Sequence, residues 1–142
     1  MTERTSASGF GDRRIGEFSF REHLELIRTR PGMYGLDGSY GDYVTYLYGY
    51  DAGTRDGALL GFREWLLLKL GHHSSFVWPR LVTELVLPEA SPGRGYRDLD
   101  EKQNSVVVEA LFRLLGEFLH DRDAERDGLR SIFRDYALHF RE

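Results

Sequence analysis

Apolar side chains recur at helical spacing along most of the chain and divide it into amphipathic segments. The first segment covers residues 19–28. Ser19, followed three positions later by Glu22, is the capping-box pattern that begins a helix. We therefore predict a helix over this segment, with Phe20, Leu24 and Ile27 on its buried face.

Later segments repeat this spacing and extend the helical pattern to the end of the chain. Residues 42–51 are apolar nearly all round and predict a central helix, although their β-branched and aromatic content leaves a strand as an alternative. The other predicted helices cover residues 58–70, 78–87, 101–120 and 128–141. Five or six helices without a second domain predict an all-α, single-domain helical bundle.

The turn after the first helix has the most distinctive sequence: Arg30, Pro31, Gly32, Met33 and Tyr34. Proline disfavours helical geometry in the residue before it, so the helix should end at Arg30. Gly32 can then adopt a backbone conformation that is closed to most residues. We expect Met33 and Tyr34 to fold back onto the core, so that this motif is structural. A buried Met33 predicts that Met33→Ala costs about 2–5 kcal/mol of stability.

Composition narrows the class of protein. The 142 residues suit one domain, and we assign residues 1–16 to a flexible N-terminal arm and 17–142 to the helical domain. The net charge of −4 argues against a nucleic-acid binder and against docking on an anionic membrane. The chain has no cysteine, no apolar leader and no run of about 20 apolar residues. These features fit a cytoplasmic protein.

Few residues suggest chemistry. Asp123, Glu125 and Asp127 followed by Gly128 begin like a calcium loop, but position twelve, which needs a bidentate acid, is Arg134. We interpret this run as a solvated acidic turn in which Asp127 caps the last helix. The adjacent His72 and His73 point in different directions and are poor joint metal ligands.

The sequence also lacks a nucleophile elbow and a phosphate-binding loop of the Walker type. We therefore expect no catalytic residues, no metal site and no cofactor, and we predict that the protein is not an enzyme.

An irregular acidic stretch over residues 89–98 and the start of the next helix form the candidate binding surface. Its residues are Tyr96, Asp98, Asp100 and Glu101. One interpretation is a solvated loop and helix N-terminus. The other is a contact surface for a basic protein partner, since complementary charge speeds encounter.

The Arg30–Tyr34 motif resembles the start of the ATPase domain of type II topoisomerases such as the DNA gyrase B subunit. In that family the following helix carries a glutamate base and an asparagine that holds magnesium. Residues 40–51 contain neither residue, and the glycine-rich ATP lid is missing. The resemblance therefore covers about ten residues, and we do not infer an ATPase.

A second resemblance covers most of the chain. Five motifs follow one another along the chain. They are an initial helix ending in Arg-Pro-Gly-Met-Tyr, a Gly-Tyr pair, a Phe-x-x-Trp helix, a tryptophan before an apolar helix, and a Leu-Leu-x-x-Phe-Leu helix. Here the later motifs are Gly49-Tyr50, Phe62 to Trp65, Trp78 and Leu114 to Leu119. This order is similar to that of small uncharacterised bacterial proteins that resemble immunity proteins of toxin systems. The Gly/Arg insertion at residues 91–97 departs from it.

The first functional hypothesis is thus a non-enzymatic bacterial immunity protein that covers the active site of a cognate toxin with a basic surface. The second is a small-molecule or nucleotide-binding module that uses the Gly-rich turn, with Gly32, Gly35 and Gly38, and the Tyr-rich helix. The third is a helical subunit of a larger assembly with exposed tyrosines as anchors.

Overall fold

The computed structural model describes residues 19–54, 57–89 and 95–140, and the helices in them form an all-α, single-domain bundle. These ranges contain no β-strand, so the all-α prediction is confirmed and the strand alternative for residues 42–51 is wrong. The elements are α1 (Phe20–Thr29), a 3₁₀ turn (Pro31–Tyr34), α2 (Tyr40–Gly53), α3 (Phe62–Leu70), α4 (Trp78–Val86), α5 (Glu101–Asp123) and α6 (Gly128–His139).

Helix α5 is the centre of the bundle and contacts each of the other five helices. Its buried face repeats at helical spacing, because residues three or four positions apart share one side of a helix. The members of that face are Val107, Ala110, Leu111, Leu114, Leu115, Phe118 and Leu119. The predicted α5 stripe is therefore confirmed, and its helix extends to Asp123, three residues beyond the predicted end at residue 120.

Helix boundaries follow the caps. The Ser19–Glu22 capping box forms at α1, and an equivalent pair of bonds joins Asp100 to Gln103 at α5. Helix α3 begins at Phe62 rather than at residue 58, because residues 57–61 form turns with Gly57 and Gly61 at φ of 72° and 94°. Residues other than glycine rarely adopt this left-handed backbone conformation.

The turn after α1 corrects two predictions. The side chain of Met33 is 71% exposed, so the expected burial of Met33 is wrong. In a 3₁₀ turn, residues i and i+3 lie on the same side. Pro31 and Tyr34 are accordingly half-buried, with Tyr34 packed on the core, and Met33 points away. The left-handed residues between α1 and α2 are Gly35 and Gly38, with φ of 75° and 86°, and not Gly32.

Other expectations have mixed outcomes. Asp127 occupies the N-cap position of α6, but its side chain makes no capping hydrogen bond. The predicted arm, residues 1–16, and most of the insertion at 91–97 lie outside the described residues. None of the helices in the described ranges is both long enough and apolar enough to span a bilayer.

Candidate functional site

The start of α2 lies beside the start of α5, and Asn104 joins them. The backbone N–H of Tyr40 donates to Oδ1 of Asn104 over 2.7 Å, and Nδ2 of Asn104 donates to the carbonyl of Gly38 over 3.3 Å. The N–H of Asn104 itself donates to the carbonyl of Asp100 at 2.8 Å. Two segments that are distant in sequence thus meet at one end of the bundle. We call this end the acidic end, because Asp37 and Asp42 lie on the first segment and Asp98, Asp100 and Glu101 lie on the second.

Two carboxylates of the acidic end come from the turn before α2. Asp42 accepts from the N–H of Asp37 at 2.9 Å, and Asp37 accepts from the N–H of Ser39 at 2.9 Å. Hydrogen bonding, first from Ser39, lowers the pKa of Asp37, which keeps this exposed group charged. Sequence reasoning missed both acids, although Ser39 followed three positions later by Asp42 has the spacing of a helix cap.

Tyr96 anchors the loop before α5 onto α2. Its ring meets that of Tyr40 edge-on, with centroids 5.8 Å apart. The guanidinium of Arg97 lies 5.5 Å from the Tyr96 ring and donates to the hydroxyl of Thr45 at 2.8 Å. Arg97 also covers Gly41, where an added Cβ would lie 2.7 Å from Nη1. Tyr96 is therefore half-buried, and its ring packs against α2 more than it faces solvent.

The three predicted acids of this loop have different roles. Asp100 accepts from the N–H of Gln103 at 2.7 Å and caps α5. Asp98 and Glu101 are exposed, and their carboxylates have no partner within the part of the chain that the structure describes. Asp98 and Glu101 are consequently the residues of the predicted set that remain available to another molecule.

The Arg30–Tyr34 turn lies at the same end of the bundle. The N–H of Leu36 donates to the carbonyl of Pro31 at 3.0 Å, and the next residue is Asp37. Arg30, Gly32 and Met33 are exposed, whereas Pro31 and Tyr34 are half-buried. The turn therefore carries an exposed apolar side chain close in sequence to the carboxylates of Asp37 and Asp42.

An aromatic cluster between α1 and α2 holds this turn in place. The His23 ring stacks on Tyr46 and Tyr50, at centroid distances of 5.7 Å and 5.0 Å, and meets Tyr34 edge-on at 5.3 Å. Nε2 of His23 is 2.5 Å from the hydroxyl of Tyr46. Burial lowers the pKa of His23 and raises the pKa values of Tyr46 and Tyr50.

A groove of about 820 Å³ separates α1 from α5. Its apolar lining includes Leu24, Val108 and Phe112. Three arginines and two glutamates also line the groove: Arg21, Arg28, Arg113, Glu25 and Glu109. Arg28 pairs with Glu25 inside it, and Arg113 lies 3.4 Å from Glu117. The groove therefore has no strong net charge to select one kind of ligand.

Residues 19–54, 57–89 and 95–140 contain no group of three or more His, Asp or Glu side chains placed to hold a metal ion. The ligand site expected at the glycine-rich turn and the Tyr-rich helix has a mixed environment: Gly32 and Gly35 are exposed, whereas Tyr40 and Tyr43 are buried. The hydroxyls of Tyr40 and Tyr43 donate to the carbonyls of Pro79 and Ile27 at 2.8 Å and 2.9 Å.

Comparison with known proteins adds no relative. The chain matches no protein-family model, no curated protein and no solved structure. Function must therefore be argued from the acidic end, the turn and the groove themselves.

Proposed function

We propose that this protein is a non-enzymatic bacterial immunity protein, which acts in the cytoplasm by covering the active site of a toxin with a basic surface. The observation that carries the proposal is the acidic end. There the hydrogen bonds of Asn104 to Gly38 and Tyr40 hold the segment that carries Asp37 and Asp42 against the start of α5, which Asp98 and Glu101 flank. The exposed Arg97 and Lys102 on the same segment leave the acids in the majority.

Complementary charge is what such a surface contributes. An exposed carboxylate adds little affinity by itself, but several of one sign steer a basic partner and raise its rate of association. Capping and hydrogen bonding fix Asp37, Asp42 and Asp100, so the surface needs little ordering when a partner arrives. The net charge of −4 acts in the same direction.

The product of each adjacent gene provides the direct test. Each product is expressed alone to measure toxicity, then together with this protein, and the pure proteins are titrated by calorimetry. We expect one neighbour to be toxic alone, harmless in the pair and bound at micromolar concentration or tighter. If no neighbour binds at that level and none is toxic, the immunity function is wrong.

A second candidate is the binding of a small molecule in the groove between α1 and α5. Its volume, about 820 Å³, lies within the usual range of ligand sites. A nucleotide at a hundredfold its dissociation constant would stabilise the protein by about 2.7 kcal/mol. A thermal-shift series with nucleotides measures this directly, and an unchanged melting temperature with every nucleotide removes this candidate in its nucleotide form.

A further inference from the structure

Met33 is the most exposed large apolar residue among those described, and it is held on a short turn rather than on a long loop. The other side chains of this class are 38–56% exposed, whereas Met33 is 71% exposed. An exposed methionine is adaptable and suits the irregular apolar pockets of a partner.

Hydrogen bonds and ring contacts within the protein hold the turn beneath Met33. The N–H of Met33 donates to the carbonyl of Arg30 at 3.1 Å, and the N–H of Gly35 donates to that of Gly32 at 3.3 Å. The ring of Pro31 restricts its φ angle. The ring of Tyr34 packs edge-on against the rings of His23 and Tyr46. A side chain on such a support loses little backbone entropy on binding.

The fold does not explain why positions 32 and 33 carry these residues. A Cβ added at Gly32 would meet nothing within 4 Å, and Gly32 lacks the positive φ that requires glycine at Gly35. Within the described part of the chain, Met33 is not among the residues packed on the core. A glycine beside an exposed methionine instead leaves room for another backbone to approach closely.

We propose that Gly32 and Met33 form the apolar anchor of the acidic end, and that Met33 inserts into an apolar pocket with a basic border on a protein partner. The charge of the border follows from Asp37 and Asp42, which come shortly after Met33 along the chain, the Asp42 carboxylate accepting from the backbone N–H of Asp37. This inference rests on the proposed function for the kind of partner, but its geometry is that of the turn alone.

Site-specific photo-crosslinking tests the contact and identifies the partner in the same experiment. The photoreactive p-benzoylphenylalanine replaces Met33 or, as a control, Leu138, which is 56% exposed on α6. Each protein is irradiated in the cells that encode it, and the captured protein is identified by mass spectrometry. We expect one basic protein to be captured from position 33 and not from position 138.

The captured protein is then purified and titrated against variants. Met33→Ala should weaken binding about 10- to 100-fold, the range expected for losing one buried methionine side chain. Gly32→Ala should weaken it at least about 5-fold, because its methyl group enters the contact. The matched controls Leu138→Ala and Gly49→Ala should bind as wild type does, since Gly49 also has open space around an added Cβ.

Each outcome decides the inference. It is overturned if no protein is specific to position 33, if the captured protein is acidic, or if Met33→Ala and Gly32→Ala bind it as tightly as wild type. The proposed function is judged separately, by expressing the captured protein alone. A harmless protein that depends on Met33 would overturn the immunity role and leave the anchor intact.

Discussion

Nε2 of His23 lies 2.5 Å from the hydroxyl of Tyr46, so one hydrogen bond ties α1 to α2 whichever atom carries the proton. The same imidazole meets the edge of Tyr34, the last residue of the 3₁₀ turn. A residue on α1 thereby fixes the position of the turn that carries Met33. His23 therefore connects the turn at the acidic end to the packing between α1 and α2.

The burial of His23 predicts a stability that depends on pH. Desolvation lowers its pKa in the folded protein below the usual value near 6.5, so the unfolded chain binds more protons in this region. Stability should therefore fall as pH drops below about 6.5 and stop falling, for this group, below the pKa of the folded state. Urea denaturation between pH 7.5 and 5 measures the effect.

His23→Phe is the matched variant, because phenylalanine keeps a ring among Tyr34, Tyr46 and Tyr50 but cannot take up a proton. We expect it to lose less stability than wild type over the same pH interval. If wild type instead gains stability relative to His23→Phe on acidification, the tyrosine rings stabilise the imidazolium by cation–π contact and the prediction is wrong.

At Gly128, we expect the addition of a single methyl group to lower the stability of the protein strongly. A Cβ there would lie 2.1 Å from the carbonyl oxygen of Arg122 and 2.6 Å from that of Asp121. Backbone atoms cannot rotate away as a side chain can, so Gly128→Ala must push α6 from α5. We expect a loss of at least about 2 kcal/mol in the free energy of unfolding.

Gly49→Ala is the control for Gly128→Ala. Gly49 lies inside α2, and a Cβ there meets nothing within 4 Å. Alanine is the better helix former, so this variant should be stabilised by up to about 1 kcal/mol. Equal stability of the two variants in chemical denaturation would show that the α5–α6 connection yields easily.

The sequence predicted helices where apolar spacing and capping residues agree. The predicted helix start after Ser19, the predicted start at residue 101 and the predicted end at residue 70 all hold, because a cap acts within a few residues. The errors occur where the spacing of apolar residues does not determine the backbone. Before α3, Gly57 and Gly61 adopt positive φ, and Arg122, 64 positions away, donates to the carbonyl of Ala58 at 2.8 Å.

The candidate site shows the same division. The acids at 98, 100 and 101 were visible as a local run, but the approach of the turn before α2 to the start of α5 depends on the bonds of Asn104 across the bundle. The exposure of Met33 was also not local. It follows from Tyr34, which shares a side of the turn with Pro31 and contacts His23 on another element.

Asn104 should prove to be the link on which the acidic end depends. Asn104→Leu removes both of its side-chain bonds and leaves the N–H of Tyr40 without its acceptor, which should cost about 1–3 kcal/mol. Asn104→Asp keeps an acceptor for Tyr40 and loses only the donor to Gly38, so it should cost less. Urea denaturation in 0.5 M salt, which screens the added charge, compares the two. Equal losses would mean that the bond to Tyr40 contributes nothing measurable.

The exposure of Met33 predicts that truncating this side chain has almost no effect on stability, which is unusual for a methionine. Because its side chain is 71% exposed, Met33→Ala should change the free energy of unfolding by less than about 0.5 kcal/mol. Leu24→Ala is the comparison, since Leu24 is 6% exposed on the preceding helix and should lose about 2–5 kcal/mol. A loss of that size at Met33 would show that the turn is packed against something in solution, and would remove the basis for an anchor.

The exposed acids Asp98 and Glu101 should govern how fast a basic partner arrives. The double variant Asp98→Asn, Glu101→Gln keeps the shape of both side chains and leaves the capping bonds of Asp100 intact. Charges at the rim of an interface act mainly on the association rate, so we expect that rate to fall about 3- to 10-fold at low salt while dissociation stays unchanged. Stopped-flow mixing with the captured partner at two salt concentrations measures both rates.

The control carries the same change of charge on another surface. Glu125→Gln with Asp135→Asn alters two exposed acids near and on α6, which do not line the groove between α1 and α5. Net charge acts at long range and would slow both double variants alike, whereas a local acidic surface slows only the first. Equal rates for the two variants at low salt would therefore contradict a binding role for the acidic end, even if the partner still depends on Met33.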